Sequence, residues 1–342
     1  MLLSPNGNDF YRPSYSFEIS EVTQVGEARR FAQSLCMDLE MDETCQARVS
    51  IIVNELGNNL VSYGKNGRLT FRKCWQQNLL GIEILSMDTG AGLIEEVAME
   101  DGFSSGTTPG TGLGAVKRQA DEFDIYSELG KGTVVMGRVY VHRPSSSRTN
   151  LMTVGAVTHP IKGEVFCGDA WCLRETSQGF IVIFSDGLGH GILAQEAALK
   201  SVEMIYEFLP ETLERLLKDM HENLRGTRGA AVFIAELVGD NLTFVGAGNI
   251  RTVLHGPDSQ KTLISQNGTV GVRISTTRIM NQAWSDGSLL ILHSDGIKSR
   301  WDLSLHPGLF RKHPSIIAGL IMRDYARDND DAAVVVIRRQ HD

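Results

Sequence analysis

Two runs in the second half of the chain share one construction, an apolar stretch of strand length that ends in Ser-Asp-Gly. Ile181–Phe184 leads into Ser185-Asp-Gly-Leu-Gly-His-Gly191, and Leu289–Leu292 leads through His293 into Ser294-Asp-Gly296. A carboxylate at a strand end is held rigidly, and the glycine behind it exposes a backbone carbonyl. Two more acidic motifs flank this pair, Gly168-Asp169 and Asp330-Asp-Ala-Ala-Val334. Hard divalent cations want such oxygen ligands. Two cations about 4 Å apart can share one carboxylate and activate a bridging water for attack on a phosphoester. Asp-Gly is also a common hairpin-turn pair, so any single occurrence reads as a turn. The apolar run before each aspartate and the acidic pair near the C-terminus distinguish the set from isolated turns.

The β-rich runs of this half, Gly179–Ser185, Ala230–Leu237, Leu242–Gly246, Ser288–His293 and Ala333–Arg338, are separated by helical stretches near 192–208 and 210–224. That mixture implies an α+β fold with stacked antiparallel sheets. A polar run, Pro144-Ser-Ser-Ser-Arg-Thr-Asn150, reads as a linker between two strand-like segments. The expected domains are therefore 1–143 and 151–342, joined by 144–150. A length of 342 residues suits two domains. The formal charge of −8 leans away from nucleic acid, whose phosphates need clustered Lys and Arg. No stretch approaches the roughly 20 apolar residues that span a bilayer, and the N-terminus has no signal-peptide pattern. Cys36, Cys45, Cys74, Cys167 and Cys172 form no CxxC pair, and free buried thiols in a reducing cytoplasm are expected.

The first half opens with a strand at Tyr15–Ile19 and helical stretches at about 24–39 and 43–63. In the second stretch Val49, Ile52, Val53, Leu56 and Leu60 fall on one face. Glu55 and Asn59, four apart, share a face one turn from each other, where they could orient a hydroxyl and hold a metal ion. Taken alone they also suit a solvated helix edge. Asp88-Thr-Gly-Ala-Gly92 follows the strand-like Gly81–Leu85, so Asp88 can accept a hydrogen bond from an adenine amino group while Gly90 and Gly92 admit close backbone approach. Gly106-Thr-Thr-Pro-Gly-Thr-Gly-Leu-Gly114 opens a helical run to Phe123, which suits phosphates through free N–H groups and the helix dipole. Gly130-Lys-Gly-Thr133 then enters a strand. A dinucleotide fold would need a βαβ unit and a spaced acid, and neither is present.

These four elements in this order resemble the GHKL ATPase superfamily over about residues 14–141. Gly112–Phe123 looks most like the branch of stressosome switch kinases and anti-sigma-factor kinases. The resemblance implies a Bergerat α/β sandwich that binds ATP and Mg²⁺. By it, Glu55 is the catalytic base toward a substrate serine and Asn59 holds Mg²⁺. Asp88 binds adenine, with Gly90 and Gly92 beside it. Gly110, Gly112, Leu113 and Gly114 cover the phosphates, and Gly132 and Thr133 form the fourth box. The usual target of that branch is a serine on a small STAS-domain antagonist protein.

The acidic motifs of the second half resemble PPM-type phosphatases of the bacterial branch, over about residues 151–338. This implies an αββα sandwich holding two Mn²⁺ or Mg²⁺ ions. Asp169 would bind one metal, Asp186 would bridge both, Gly187 would offer its carbonyl, and Asp295 and Asp330 would bind the other. Asp331 matches a position that is not a ligand. Ala333 stands where the family often has Thr or Ser, and Gly168 where eukaryotic relatives carry a second acid. His190 reads as structural rather than as an acid for the leaving oxygen, and His293 as a core or supporting histidine. Lys117 and Arg118 read as a solvated helix face, and Gly246-Ala-Gly-Asn249 as a close-packing turn without chemistry.

Together the halves imply a cytoplasmic, bifunctional switch that dephosphorylates phosphoserine or phosphothreonine on a STAS-domain partner. Its ATP-binding module would phosphorylate the same class of partner, with release of a sigma factor or other effector as the outcome. Alternative readings are an ATP sensor that gates the phosphatase without kinase turnover, an anti-sigma binding protein, and a metal centre acting on a small phosphorylated molecule. Kinase-like modules of this type often pair, which admits a homodimer; no nucleic acid or membrane partner is expected.

Overall fold

The computed structural model describes residues 13–76, 79–94, 112–142, 152–176, 179–207, 212–256, 259–275 and 277–339. Gly110 and the linker 144–150 lie outside these residues. The chain divides into two compact units. One holds the described residues of Ser14–Arg148 and Asp302–Asp324, the other those of Thr149–Trp301 and Tyr325–Asp342.

The first unit contains β1 (Tyr15–Glu18), α1 (Val22–Asp38), α2 (Glu43–Tyr63), β2 (Arg68–Gln76), β3 (Leu79–Met87), α3 (Gly112–Gln119), β4 (Glu122–Glu128) and β5 (Gly132–Tyr140). Its five strands form an antiparallel sheet in the order β1-β2-β3-β5-β4. Asp42 starts α2 by accepting the Cys45 N–H at 2.7 Å, which satisfies a donor the helix itself leaves free. The predicted stripe of Val49, Ile52, Val53, Leu56 and Leu60 is buried with Leu69, Phe71, Ile82, Ile84, Val135 and Val139 of the sheet. Helices α1 and α2 cross closely at Gly57, where a Cβ would come within 2.5 Å of Val25 Cγ1.

The second unit contains β6 (Met152–His159), β7 (Asp169–Thr176), β8 (Gly179–Gly187), α4 (Ile192–Glu207), α5 (Leu213–Asn223), β9 (Ala230–Val238), β10 (Asn241–Ala247), β11 (Arg251–His255) and β12 (Gln260–Leu263). It continues with β13 (Gly268–Thr269), β14 (Arg273–Ile274), β15 (Met280–Ala283), β16 (Leu289–His293) and β17 (Ala332–Arg339). There are two antiparallel five-stranded sheets, ordered β15-β10-β9-β8-β7 and β12-β11-β16-β17-β6. Ala198, Val202, Leu216, Leu217 and Met220 of α4 and α5 pack on Ile181, Ile183, Val232 and Ile234 of the former sheet. Its other face carries Trp171, Phe180, Phe184 and Phe233, all fully buried. Both units are mixed helix and sheet, as the sequence implies. All five cysteines are buried and free. Among the described residues no helix is long and apolar enough to cross a membrane.

One segment departs from the linear division. Residues 302–324 lie between Asp295 and Asp330 in sequence but pack in the first unit. They form two short 3₁₀ turns and α6 (Pro314–Tyr325). Every residue from Pro314 to Met322 is buried, so the segment has a continuous apolar run rather than a helical stripe. Against the sheet, a Cβ on Gly319 would meet Leu85 Cδ2 at 2.9 Å and Val134 Cγ1 at 3.1 Å. The same sheet face carries a buried ion cluster. Glu83 accepts from Arg72 Nη2 at 2.9 Å, Arg138 Nε at 2.7 Å and Ser315 Oγ at 2.6 Å. His306 pairs with Glu128 at 2.6 Å, and the His313 N–H donates to Asp124 at 2.6 Å.

Burial alone would raise the Glu83 carboxyl, but Arg72, Arg138 and Ser315 outweigh it and hold it at about 2. A folded-state value below the unfolded one contributes stability above the ordinary carboxylate range and loses it as pH falls toward 2. Replacing Glu83 by Ala removes the carboxylate that lies between two buried guanidiniums and should cost about 3–5 kcal/mol, read by urea unfolding of the full chain. The wild type should also lose stability between pH 4.5 and 2 more steeply than Glu83→Gln.

Candidate metal centre and nucleotide pocket

Strand pairing gathers the predicted acidic residues at one rim. Asp169 opens β7 and lies directly across from Asp186 near the end of β8. Asp295 follows β16 by two residues, and Asp330 and Asp331 immediately precede β17, whose first residues pair with the end of β6. Antiparallel pairing therefore sets Asp169 beside Asp186 in one sheet, and the end of β16 beside the start of β17 in the other. Two cross-connections fix these ends. Ser294 Oγ donates to Asp169 Oδ2 at 2.6 Å, and Asp331 accepts the N–H groups of Ile161 and Gly168, each at 2.7 Å.

These bonds separate the two adjacent aspartates. Both Asp331 oxygens are engaged by backbone N–H groups and the residue is buried, whereas among the described residues Asp330 accepts the Asp331 N–H alone and is half-buried. Asp330 is thus the better placed donor toward a cation. Gly168 is also explained, because a Cβ there would come within 2.7 Å of Asp331 Oδ2 and 2.9 Å of Ala194 Cβ. At Gly187 a Cβ would fall 2.0 Å from the Ala194 carbonyl, so only glycine fits behind Asp186.

Two supporting residues carried no role in the sequence reading. Ser294 Oγ accepts the Ala333 N–H at 3.0 Å while donating to Asp169, so a hydroxyl reaches the site although position 333 is Ala. Asn249 Nδ2 donates to Asp295 Oδ2 at 2.7 Å, which corrects the view of Gly246–Asn249 as a turn without chemistry. The turn does pack closely, with Gly248 at φ +113 and its Cβ position 2.3 Å from Ala231 Cβ. His293 is buried; its Nδ1–H donates to the Ser294 carbonyl at 2.8 Å and its Nε2 accepts from Trp301 Nε1 at 3.0 Å. Burial holds it neutral, down at about 4, in agreement with a supporting role. His190 is exposed and bonds Glu164 at 3.0 Å.

The rim is electrostatically crowded. Burial and the neighbouring Asp186 push Asp169 far up, and burial with Asp295 and Asp330 raises Asp186 to about 8. Burial and Asp295 raise Asp330 as well. Asp169 Oδ1 is buried without a hydrogen-bond partner. Like charges this close favour protonation or a bound cation, and oxygen donors of this kind fit Mg²⁺ or Mn²⁺. Among the described residues no three carboxylate, imidazole or thiol groups are gathered closely enough to hold a metal ion by side chains alone. A cation here would complete its shell with the Gly187 carbonyl and water.

In the first unit, α2 carries the first box and meets the described part of the third at Gly112. A Cβ on Gly112 would sit 3.1 Å from Glu55 Oε2 and 3.6 Å from Asn59 Oδ1, so the first and third boxes meet there. Glu55, Asn59, Leu113 and Gly114 are half-buried, while Lys117 and Arg118 are exposed on α3. The second and fourth boxes interlock, with Asp88 N donating to Thr133 O at 3.0 Å and Thr133 N to Asp88 O at 3.2 Å. Asp88 Oδ1 accepts the Gly90 N–H at 2.7 Å. Gly92 and Gly132 have φ of +69 and +95, and their Cβ positions lie 2.1 Å from Glu128 O and 2.0 Å from Asp88 O. Both contacts exclude any side chain. Thr89 N bonds Lys65 O at 2.8 Å, which ties the second box to the end of α2.

A divalent cation should stabilise this fold measurably. By mass action a ligand at a hundred times its Kd contributes about 2.7 kcal/mol, so Mn²⁺ should raise the Tm over an EDTA control and Asp186→Asn should lose most of that rise. The raised Asp186 value means the metal-free fold binds this proton more tightly than the unfolded chain. Its contribution is complete below the ordinary carboxylate range and is lost as pH rises through about 8. The EDTA-treated chain should therefore melt lower at pH 8.5 than at pH 6 through this group.

Residues 19–138 match the family described as "Histidine kinase-like ATPase domain", and residues 176–340 match "Stage II sporulation protein E (SpoIIE)". The serine/threonine-protein kinase RsbT of Bacillus subtilis (strain 168) is 32% identical over 109 residues, covering 32% of this chain and 82% of RsbT. The phosphoserine phosphatase RsbX of the same organism is 24% identical over 139 residues, covering 40% of this chain and 70% of RsbX. A solved chain from work on the bacterial stressosome, "a modular system that has been adapted to control secondary messenger signaling", is 27% identical with a TM-score of 0.52, covering 55% of this chain and all of its own length, 100%. As the four boxes imply, this chain belongs through its first half to the family of the serine/threonine-protein kinase RsbT, a histidine kinase-like ATPase domain, and its second half, which carries the Ser-Asp-Gly motifs, is similar to SpoIIE and to the phosphatase RsbX.

Proposed function

We propose that the second unit hydrolyses phosphoserine or phosphothreonine on a STAS-domain protein and that the first unit phosphorylates the same class of partner from ATP. The observation that carries the phosphatase reading is the rim itself, where Asp169, Asp186, Asp295 and Asp330 end or begin four strands of two sheets beside the Gly187 carbonyl. Divalent ions bound there would supply a hydroxide-like nucleophile and charge neutralisation for the phosphoryl group. The chain's own residues do the positioning. Ser294 fixes the Asp169 carboxylate, Asn249 fixes that of Asp295, and Gly187 and Gly168 keep the rim free of side chains.

For the first unit, Glu55 stands as base toward the substrate hydroxyl, and Asn59 as the ligand of the nucleotide's Mg²⁺. Asp88 stands as acceptor from adenine, with Gly112, Leu113 and Gly114 against the phosphates. The approach of Gly112 to Glu55 and Asn59 supports this arrangement. Similarity to a kinase and to a phosphoserine phosphatase in one chain supports opposed activities on a common partner. A phosphate adds nearly two negative charges, enough to make or break a partner's interface and so release a sigma factor or other effector.

Hydrolysis of p-nitrophenyl phosphate by the full chain should require Mn²⁺ or Mg²⁺, stop with EDTA and fall at least about 100-fold in Asp186→Asn, a loss of about 2.7 kcal/mol. Metal-independent turnover, or full activity in that variant, contradicts the assignment. Transfer of labelled phosphate from ATP to a STAS-domain protein should be lost in Glu55→Ala while p-nitrophenyl phosphate turnover is kept.

A further inference from the structure

The segment between the Asp295 and Asp330 motifs is built into the nucleotide-binding unit, and its last helix touches the nucleotide pocket. Arg323, near the end of α6, donates from Nη1 to the Asp88 carbonyl at 3.0 Å. That carbonyl also accepts the Thr133 N–H at 3.2 Å, so one oxygen joins the second box, the fourth box and α6. The guanidinium is fixed, with its side chain 6% exposed and paired with Asp324 through Nε at 2.7 Å and Nη2 at 2.8 Å. Farther along, Ser315 joins Glu83 and Arg138, and Gly319 packs on Leu85 and Val134 of the strands that present Asp88 and Thr133.

The helix then runs directly into the metal-site loops. Lys298 N donates to Tyr325 O at 2.8 Å and Arg327 N to Gly296 O at 2.8 Å. Ile297 and Ala326 form an antiparallel bridge. The chain leaving α6 is thus pinned to the loop that follows Asp295, and Asp330 comes three residues after Arg327. Arg323 is thus bonded to the Asp88 backbone, and the helix it sits on continues along the chain toward Asp330 and is hydrogen-bonded to the loop after Asp295.

We infer that Arg323 is a positioning residue of the nucleotide pocket and that α6 transmits nucleotide occupancy to the loops carrying Asp295 and Asp330. This rests on the readings of both sites given above. It places the regulation of the phosphatase in the same helix that completes the ATP-binding unit. Linkage makes the effect reciprocal, so a bound cation alters nucleotide affinity by the factor that nucleotide alters cation affinity.

The test uses the full chain, a fluorescent ADP analogue at fixed Mg²⁺, and hydrogen–deuterium exchange with and without ADP. Wild type should bind the analogue, and ADP should slow exchange across 323–331 and 294–298 as well as across the pocket. Arg323→Gln should weaken binding about fivefold or more and lose the protection at 294–298. Arg323→Lys, which keeps a donor toward the Asp88 carbonyl, should recover most of the affinity. Asp324→Asn, which loosens the guanidinium but leaves the donor, should fall between, and melting curves check that each variant is folded. Equal affinity in wild type and Arg323→Gln, with protection confined to the pocket in both, overturns the inference while leaving the pocket intact. No binding by wild type overturns the nucleotide reading itself, and the inference with it.

Discussion

Aspartates that end strands at one rim of two sheets cannot all carry charge there without a counterion. Asp169 lies across from Asp186, and Asp295 and Asp330 raise Asp186 further. Groups held this close cost fold stability while they are unneutralised and favour protonation or a bound cation. Much of the second unit serves the arrangement. Sheet pairing sets which strand ends meet, glycines at 168 and 187 clear the space, and Ser294 and Asn249 hold individual carboxylate oxygens. Asp331 is spent differently, since both its oxygens fasten loop N–H groups that close the rim.

The first unit meets the opposite demand. Its ion cluster is buried and nearly neutral overall, with Glu83 between Arg72 and Arg138 and a serine hydroxyl from α6 on the same carboxylate. Such a cluster tolerates burial only when every partner is present. The layer formed by residues 302–324 supplies Ser315, and also the His306 and His313 contacts to Glu128 and Asp124. A sheet that would otherwise show one face to solvent is therefore completed by a distant part of the chain. The first unit is thus built from two separate stretches of the chain.

Much of this was legible in the residues. The α2 stripe, the strand ends at Asp186 and Asp295, and the glycine boxes each combine a local conformational demand with a composition that meets it. The choice of Asp330 over Asp331 is supported by hydrogen bonds that no spacing rule could reveal. Asn249 gives no local signal, because its partner, Asp295, lies 46 residues away and its own turn reads as simple packing. Helix α6 was missed for a different reason. A helix buried on all sides has no amphipathic period, and Pro314–Met322 is buried at every position, its polar Ser315 included. Its placement in the first unit follows from long-range contacts at Glu83 and Asp88, which local pattern cannot encode.

The most direct test of the central claim is anomalous diffraction from crystals of the full chain grown with Mn²⁺. Manganese peaks are expected at the rim, bounded by Asp169, Asp186, Asp295 and Asp330 with the Gly187 carbonyl in reach, and none on Asp331. Manganese bound elsewhere with the rim empty, or held through Asp331 in place of Asp330, would contradict it.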